Sequence, residues 1–222
     1  DTSVSAADLV TFTTEVSSST PGTITGTVQI KSDGNNVGSP GPLSAGPPFK
    51  AFPATRCITV GTHTITAVYS GDSNYATSTG TMLGSQSVVK PSKVLVDDSF
   101  AGSADCADVG TTALLDAGEP IFARNAFATV TDGQVGVTPT GIVYVNAGTY
   151  AENVSVPAGQ TLELQGDVVI NGDLALNGTL NVGTHTLTLN GAVSGTGTLT
   201  SAAAGTVNYN QSSDGQDVLA AN

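Results

Sequence analysis

Through the second half of the chain, apolar positions recur in short alternating runs spaced six or seven residues apart: Leu162, Val168, Leu174, Leu180, Leu187, Val193 and Leu199. Glycines punctuate them at Gly166, Gly172, Gly178, Gly183, Gly191 and Gly197. Each unit offers two or three alternating residues and then a turn, as in Leu162-Glu163-Leu164 or Leu187-Thr188-Leu189. A unit this short cannot bury its apolar face alone and must stack on copies of itself. Three units to a turn predict a short parallel β-helix, with coils of roughly 18–20 residues and about four coils between Ile142 and Asn210. Within residues 122–135 the pattern allows one short helix, expected to cap the first coil.

Residues 1 to about 90 carry a different pattern. Alternation over 10–16, 26–30, 61–69 and 85–90 is broken by turn chemistry at Thr20-Pro21-Gly22, at the hairpin-type Ser32-Asp33-Gly34-Asn35, and through the Pro/Gly-rich stretch 39–48. Short strands at this spacing predict a β-sandwich. Pro91-Ser92 reads as a boundary. The expected fold is therefore all-β: a sandwich over residues 1–91, then the β-helix over 92–222 with an acidic loop and a short cap at its start. Residues 1–7 are too short and small-sided to predict a first strand. A sandwich lacking that strand would carry an unpaired edge and an apolar groove.

Particular residues sharpen both domains. Val10-Thr11-Phe12-Thr13, Gly26-Thr27-Val28, and the run from Val60-Gly61-Thr62-His63 through Tyr69-Ser70-Gly71-Asp72 to Asn74-Tyr75 resemble the bacterial Ig-like repeats of large surface proteins. In that family a strand usually precedes the Val-Thr-Phe strand. Val94-Leu95-Val96-Asp97-Asp98, Asn125-Ala126-Phe127 and Val143-Tyr144-Val145-Asn146-Ala147-Gly148-Thr149-Tyr150 resemble the entry coil of right-handed β-helix domains of the pectin-lyase-like class. The pair resembles a fragment of a bacterial adhesin-like or surface-filament protein. That resemblance implies a secreted, cell-surface or filamentous location.

Charge narrows the partners. Lys and Arg number 6 against 18 Asp and Glu, for a net charge of −12, and no basic residue follows Arg124. Nucleic acid and anionic membranes both need a basic face. No run approaches the ~20 apolar residues of a spanning helix, so no membrane insertion is expected. The chain opens at Asp1 with no Met and no basic-then-apolar leader, which reads as an already processed protein.

Enzymatic chemistry is not expected. Lyases of the pectin-lyase-like class take a proton with a basic residue, and the coils have none. Glycosidases need two facing carboxylates, and Glu152, Glu163, Asp167 and Asp173 read equally well as turn and solvent-face acids. His63 and His185, both in Gly-Thr-His-Thr, lack ligand-spaced neighbours and read as structural strand-edge positions. Asn153, Asn177 and Asn210 head glycosylation patterns that a chain this rich in Asn, Ser and Thr produces by chance.

The loop holding Asp97, Asp98, Asp105 and Asp108, with Asp116 and Glu119 beyond, gathers hard oxygen ligands in sequence, so calcium is the candidate cofactor. Its spacing matches no EF-hand, and a solvated loop is the alternative. Cys57 lies in the turn feeding the strand at Gly61, and the antiparallel last strand should end beside it, close to the loop carrying Cys106. A Cys57–Cys106 bridge is expected, with two separate thiols as the alternative. It would close a loop of about 50 residues, worth roughly 3–4 kcal/mol.

A solenoid's open end must be capped or paired. Val4 and Leu9 beside the expected groove, and Val207, Tyr209, Val218 and Leu219 at the far end, are therefore the candidate interface. Two functions follow. One is a non-enzymatic surface-fibre subunit or adhesin stalk module forming a head-to-tail homopolymer by strand pairing or coil stacking. The other is a glycan-binding adhesin module, calcium-dependent if the acidic loop binds.

Overall fold

The computed structural model describes residues 3–116 and 118–211. It divides into two compact units, Asp1–Val89 and Lys90–Asn222, so the division falls two residues before Pro91.

In the first unit, Thr27–Ser32 alternates buried Val28, Ile30 and Ser32 with half-buried Thr27, Gln29 and Lys31. It pairs antiparallel with Ile65–Tyr69, which pairs in turn with Ser78–Thr81 at the sheet's end. Asp33 and Gly34 take φ of 49° and 87° to turn the chain into Asn35–Asn36. Two successive positive φ values are what a twist-matched two-residue hairpin requires. Gly61–His63, Gln86–Val89 and Val4–Ser5 form a separate sheet. Two short antiparallel pairs complete the unit: Val10–Thr11 with Ala54–Thr55, and Thr14–Val16 with Phe49–Ala51. Phe12, Val28, Ile30, Ala51, Ile58 and Ile65 pack together as its core.

Two expectations change here. Residues 61–69 are not one strand but two, in different sheets, broken at Thr64. The Asp33 carboxylate accepts the Thr64 amide at 2.8 Å, and the Thr64 carbonyl accepts from Asp33 N. Those bonds hold the chain at the crossing between sheets. The first strand is also present. Val4–Ser5 pairs in parallel with Val88 and Val89, and Ala6 and Ala7 are buried.

The second unit is a parallel β-solenoid. One face stacks Lys93–Val96, Ile142–Val145, Thr161–Leu164, Thr179–Asn181 and Thr198–Thr200 in parallel register. A second stacks Gly148–Tyr150, Val168–Ile170, Thr186–Leu189 and Thr206–Tyr209. The third stacks Val154–Val156, Leu174–Leu176 and Val193–Ser194. From Ile142 this makes three full coils and two strands of another, where about four coils were expected from a repeat of roughly 18–20 residues. Val143, Leu162, Leu180 and Leu199 form one inward column. Burying each leucine is worth about 2 kcal/mol, realised only when the neighbouring coil is in place.

The cap is also present, slightly later than expected, as the helix Val130–Gly136. Val130 and Val137 are buried over the end of the column. Gly133 sits so close that a Cβ there would lie 2.5 Å from Val96 Cγ2. The Glu152 carboxylate accepts from the Val130 and Thr131 amides at 2.7 and 3.0 Å, answering the helix's first N–H groups.

Candidate functional site

The carboxylates of the acidic loop each make hydrogen bonds with their surroundings. Asp97 accepts from Ser99 N at 2.9 Å and from Asn146 Nδ2 at 2.7 Å, so it caps the turn Asp98–Phe100 and ties it to the first coil. Burial works against its charge, but the Ser99 and Asn146 hydrogen bonds prevail and hold the carboxyl below its usual range. Asp98 accepts the Thr149 amide at 2.9 Å. Asp105 takes both terminal nitrogens of Arg124 at 2.9 and 3.2 Å, and Asp108 accepts from Gly110 N at 3.0 Å. Asp116 accepts from Lys93 Nζ at 2.7 Å and from the Ser92 hydroxyl, and these lower its pKa. Asp97, Asp98, Asp105 and Asp108 thus have separate partners. Among the described residues no three His, Cys, Asp or Glu side chains converge as a metal cage.

The acids of the coils are joints. Asp167 accepts from Thr186 N at 2.7 Å and Asp173 from Ala192 N at 2.8 Å, each linking one coil to the next. Asn153 accepts from Asp173 N at 2.8 Å, and Asn171, Asn190 and Asn210 form a hydrogen-bonded ladder at 2.7 and 3.1 Å. Two of the three sequon asparagines are therefore part of the stacking. His63 ends the edge strand Gly61–His63, as expected, and is buried there, 7% exposed, with Nδ1 2.7 Å from Asp33 Oδ2 and Nε2 2.9 Å from Thr59 O. That pairing lowers the Asp33 pKa. Neither cysteine is a free thiol.

The candidate interface residues fall apart into kinds. Val4 is half-buried and packs on the core of its own unit, while Leu9 is 56% exposed. Val207 and Tyr209 pack half-buried against the solenoid core, on the last strand of their sheet. Val218 and Leu219 lie outside the described residues.

The feature that sequence reasoning missed is an open seam in the sandwich. A groove of about 450 Å³ lies between residues 10–15 and 80–82, over Val4, Phe12, Ile30, Ile65 and Ala67. Adjoining hollows of about 230 and 300 Å³ extend it between residues 14–18 and 75–80, over Val28, Ala67 and Tyr69. One wall, Ser78–Thr81, is exposed along its whole length and ends its sheet. Among the described residues, the strands of the opposite wall, within 10–16, pair only with Phe49–Ala51 and Ala54–Thr55. A Cβ at Gly80, opposite Ala67 in the ladder, would meet nothing within 4 Å. The first strand is present, so this groove is not the one expected from its absence; it opens between residues 10–15 and 80–82. The readable signal was Ser78-Thr79-Gly80-Thr81, strand-like residues with nothing large to turn inward.

Residues 1–89 match the family model of the bacterial Ig-like domain (group 3). No curated protein and no solved structure matches the chain. Among the described residues no helix is long and apolar enough to cross a membrane.

Proposed function

Because its first unit is a bacterial Ig-like domain and its second a β-solenoid, an architecture that fits an extracellular surface or adhesin-like protein, we propose that the chain is a non-enzymatic surface-fibre subunit or stalk module that assembles head to tail. The observation that carries this reading is the seam: two strand edges facing each other across an apolar floor, a site shaped for another strand. The hydrogen bonds that commit the coil acids Glu152, Asp167 and Asp173 to helix capping and coil stacking support a scaffold rather than a catalyst. A Cys57–Cys106 bridge is part of the proposal, since it suits an oxidising, extracellular setting. Peptide mapping without reductant should yield one cross-linked peptide pair.

Negative-stain microscopy of the 222-residue chain over a concentration series, with light scattering alongside, tests the assembly. Regular fibres growing with concentration are expected. A monomer at every concentration overturns the assembly and turns attention to glycan binding.

A further inference from the structure

We infer that residues 110–116 form a hinged flap, latched by Asp116, over an apolar patch on the outer face of the first coils. The register isolates the patch. Outward positions of the first stacked face run Leu95, Tyr144, Glu163, Asn181 and Thr200 in one column, and Lys93, Ile142, Thr161, Thr179 and Thr198 in the next. Large apolar side chains stand outside only on the first two of these strands. There Leu115 is buried with Leu95 and Tyr144, and Leu114, Phe100 and Ile142 pack around them. Leu95 and Tyr144 are 5% and 9% exposed, although neither side chain belongs to the solenoid's inner core.

The flap stands on a narrow base, where Asp108 and Ile121 bridge antiparallel and Val109 N donates to Pro120 O at 3.0 Å. Just beyond it lie Gly110 and, on the return, Gly118, with φ of +132° and +74°. A Cβ at either would meet nothing within 4 Å. Two glycines in open space absorb backbone rotation at little cost, which is what a hinge requires. The tip is fastened by Asp116, which accepts from Lys93 Nζ at 2.7 Å and from the Ser92 hydroxyl. Both ends of that ion pair are partly exposed, so water weakens it. A cover anchored by Leu115 and a solvated ion pair lifts while the ladders behind it stay paired. Lifted, it bares Leu95, Tyr144 and Ile142. The flap therefore decides whether the first coils present an apolar surface, and it does so with or without assembly.

Hydrogen exchange of the full chain, read by mass spectrometry, tests the flap. Peptides over residues 110–119 should exchange at least about tenfold faster than coil peptides over 161–200, through openings that the coils do not share. Leu115→Ala should speed the flap about tenfold further, and Asp116→Asn about threefold, with the coil peptides unchanged in both. A dye that fluoresces on apolar surface should bind Leu115→Ala more than the unaltered chain. Adding Tyr144→Thr, the residue type found lower in its column, should return that signal to the starting level. Flap peptides as slow as the coils, or coils that speed up in step with the flap, overturn the inference, since the cover then opens only when the solenoid unfolds. Rates unmoved by Asp116→Asn overturn the latch. Dye binding that survives Tyr144→Thr overturns the covered patch.

Discussion

The two units are built from the same residues, Val, Leu, Ile, Thr and Gly, yet they close their cores differently. In the solenoid every inward position has a coil above or below it, and one continuous column runs from Val94 to Leu199. In the Ig-like unit the sheets meet along one side and part along the other, where Gly80 faces empty space. Stacking closes a core one coil at a time and leaves openings only at the ends. A sandwich closes by pairing edges, and an edge strand without inward bulk leaves a seam along its length. Vulnerability therefore concentrates at the column in one unit and at the seam in the other.

The sharpest way to break that contrast is to remove a leucine from the column. Leu187, fully buried with coils on both sides, should cost about 3 kcal/mol as Leu187→Ala, because the ladders cannot collapse into the void. Met82→Ala, at the lip of the seam, should cost less than about 1 kcal/mol. Urea unfolding of each variant measures both, and equal costs would refute the contrast.

Glycines give the next largest difference. A Cβ at Gly195 would lie 2.0 Å from Leu176 O, and the residue holds φ at +106°. Gly195→Ala should cost about 2 kcal/mol. Gly80→Ala should instead gain about 0.5 kcal/mol, since its conformation is ordinary and the space is open. Thermal melts of the two variants should shift in opposite directions.

Acid should act on the Ig-like unit through two carboxylates. Asp72 accepts from Thr25 N, Asn74 N and Tyr75 N, each at 2.8 Å, and these hold its pKa far below the usual range. Asp33 is lowered by His63 and Thr64. A carboxyl depressed on folding stabilises above its unfolded pKa, near 4, and loses that contribution as pH falls through the folded value. The melting temperature of the unit should therefore fall as pH drops below about 4, and Asp72→Asn should flatten the dependence. A slope unchanged by that substitution would remove Asp72 from the account.

The smallest effect expected is none. Calcium at about 1 mM should leave the solenoid's melting temperature where it is, because the loop carboxylates are held by separate donors. A rise of several degrees would mean that the loop rearranges around the ion.

Much of this protein was legible in its sequence. A period of six or seven residues with glycine at the turns can be satisfied only by self-stacking, so the three-faced solenoid follows from spacing alone. The turn at Asp33-Gly34 was equally readable, since few dipeptides accept two positive φ values. The cap was readable as an interruption, though its start at Val130 depends on Glu152, which reaches it only after a coil has closed. Other features depended on contacts between residues distant in sequence. Asp33 meets Thr64 and His63, which turns one apparent strand into two. Val4–Ser5 becomes a strand because Val88 and Val89 offer an edge. The acidic loop gathers like charges in sequence, and only the tertiary structure shows that Arg124, Asn146 and Thr149 reach in from elsewhere to hydrogen-bond Asp105, Asp97 and Asp98. The seam is the clearest case. Periodicity tells which face of a strand points inward, but whether that face finds a neighbour depends on how the sheets meet, and only the tertiary structure decided that.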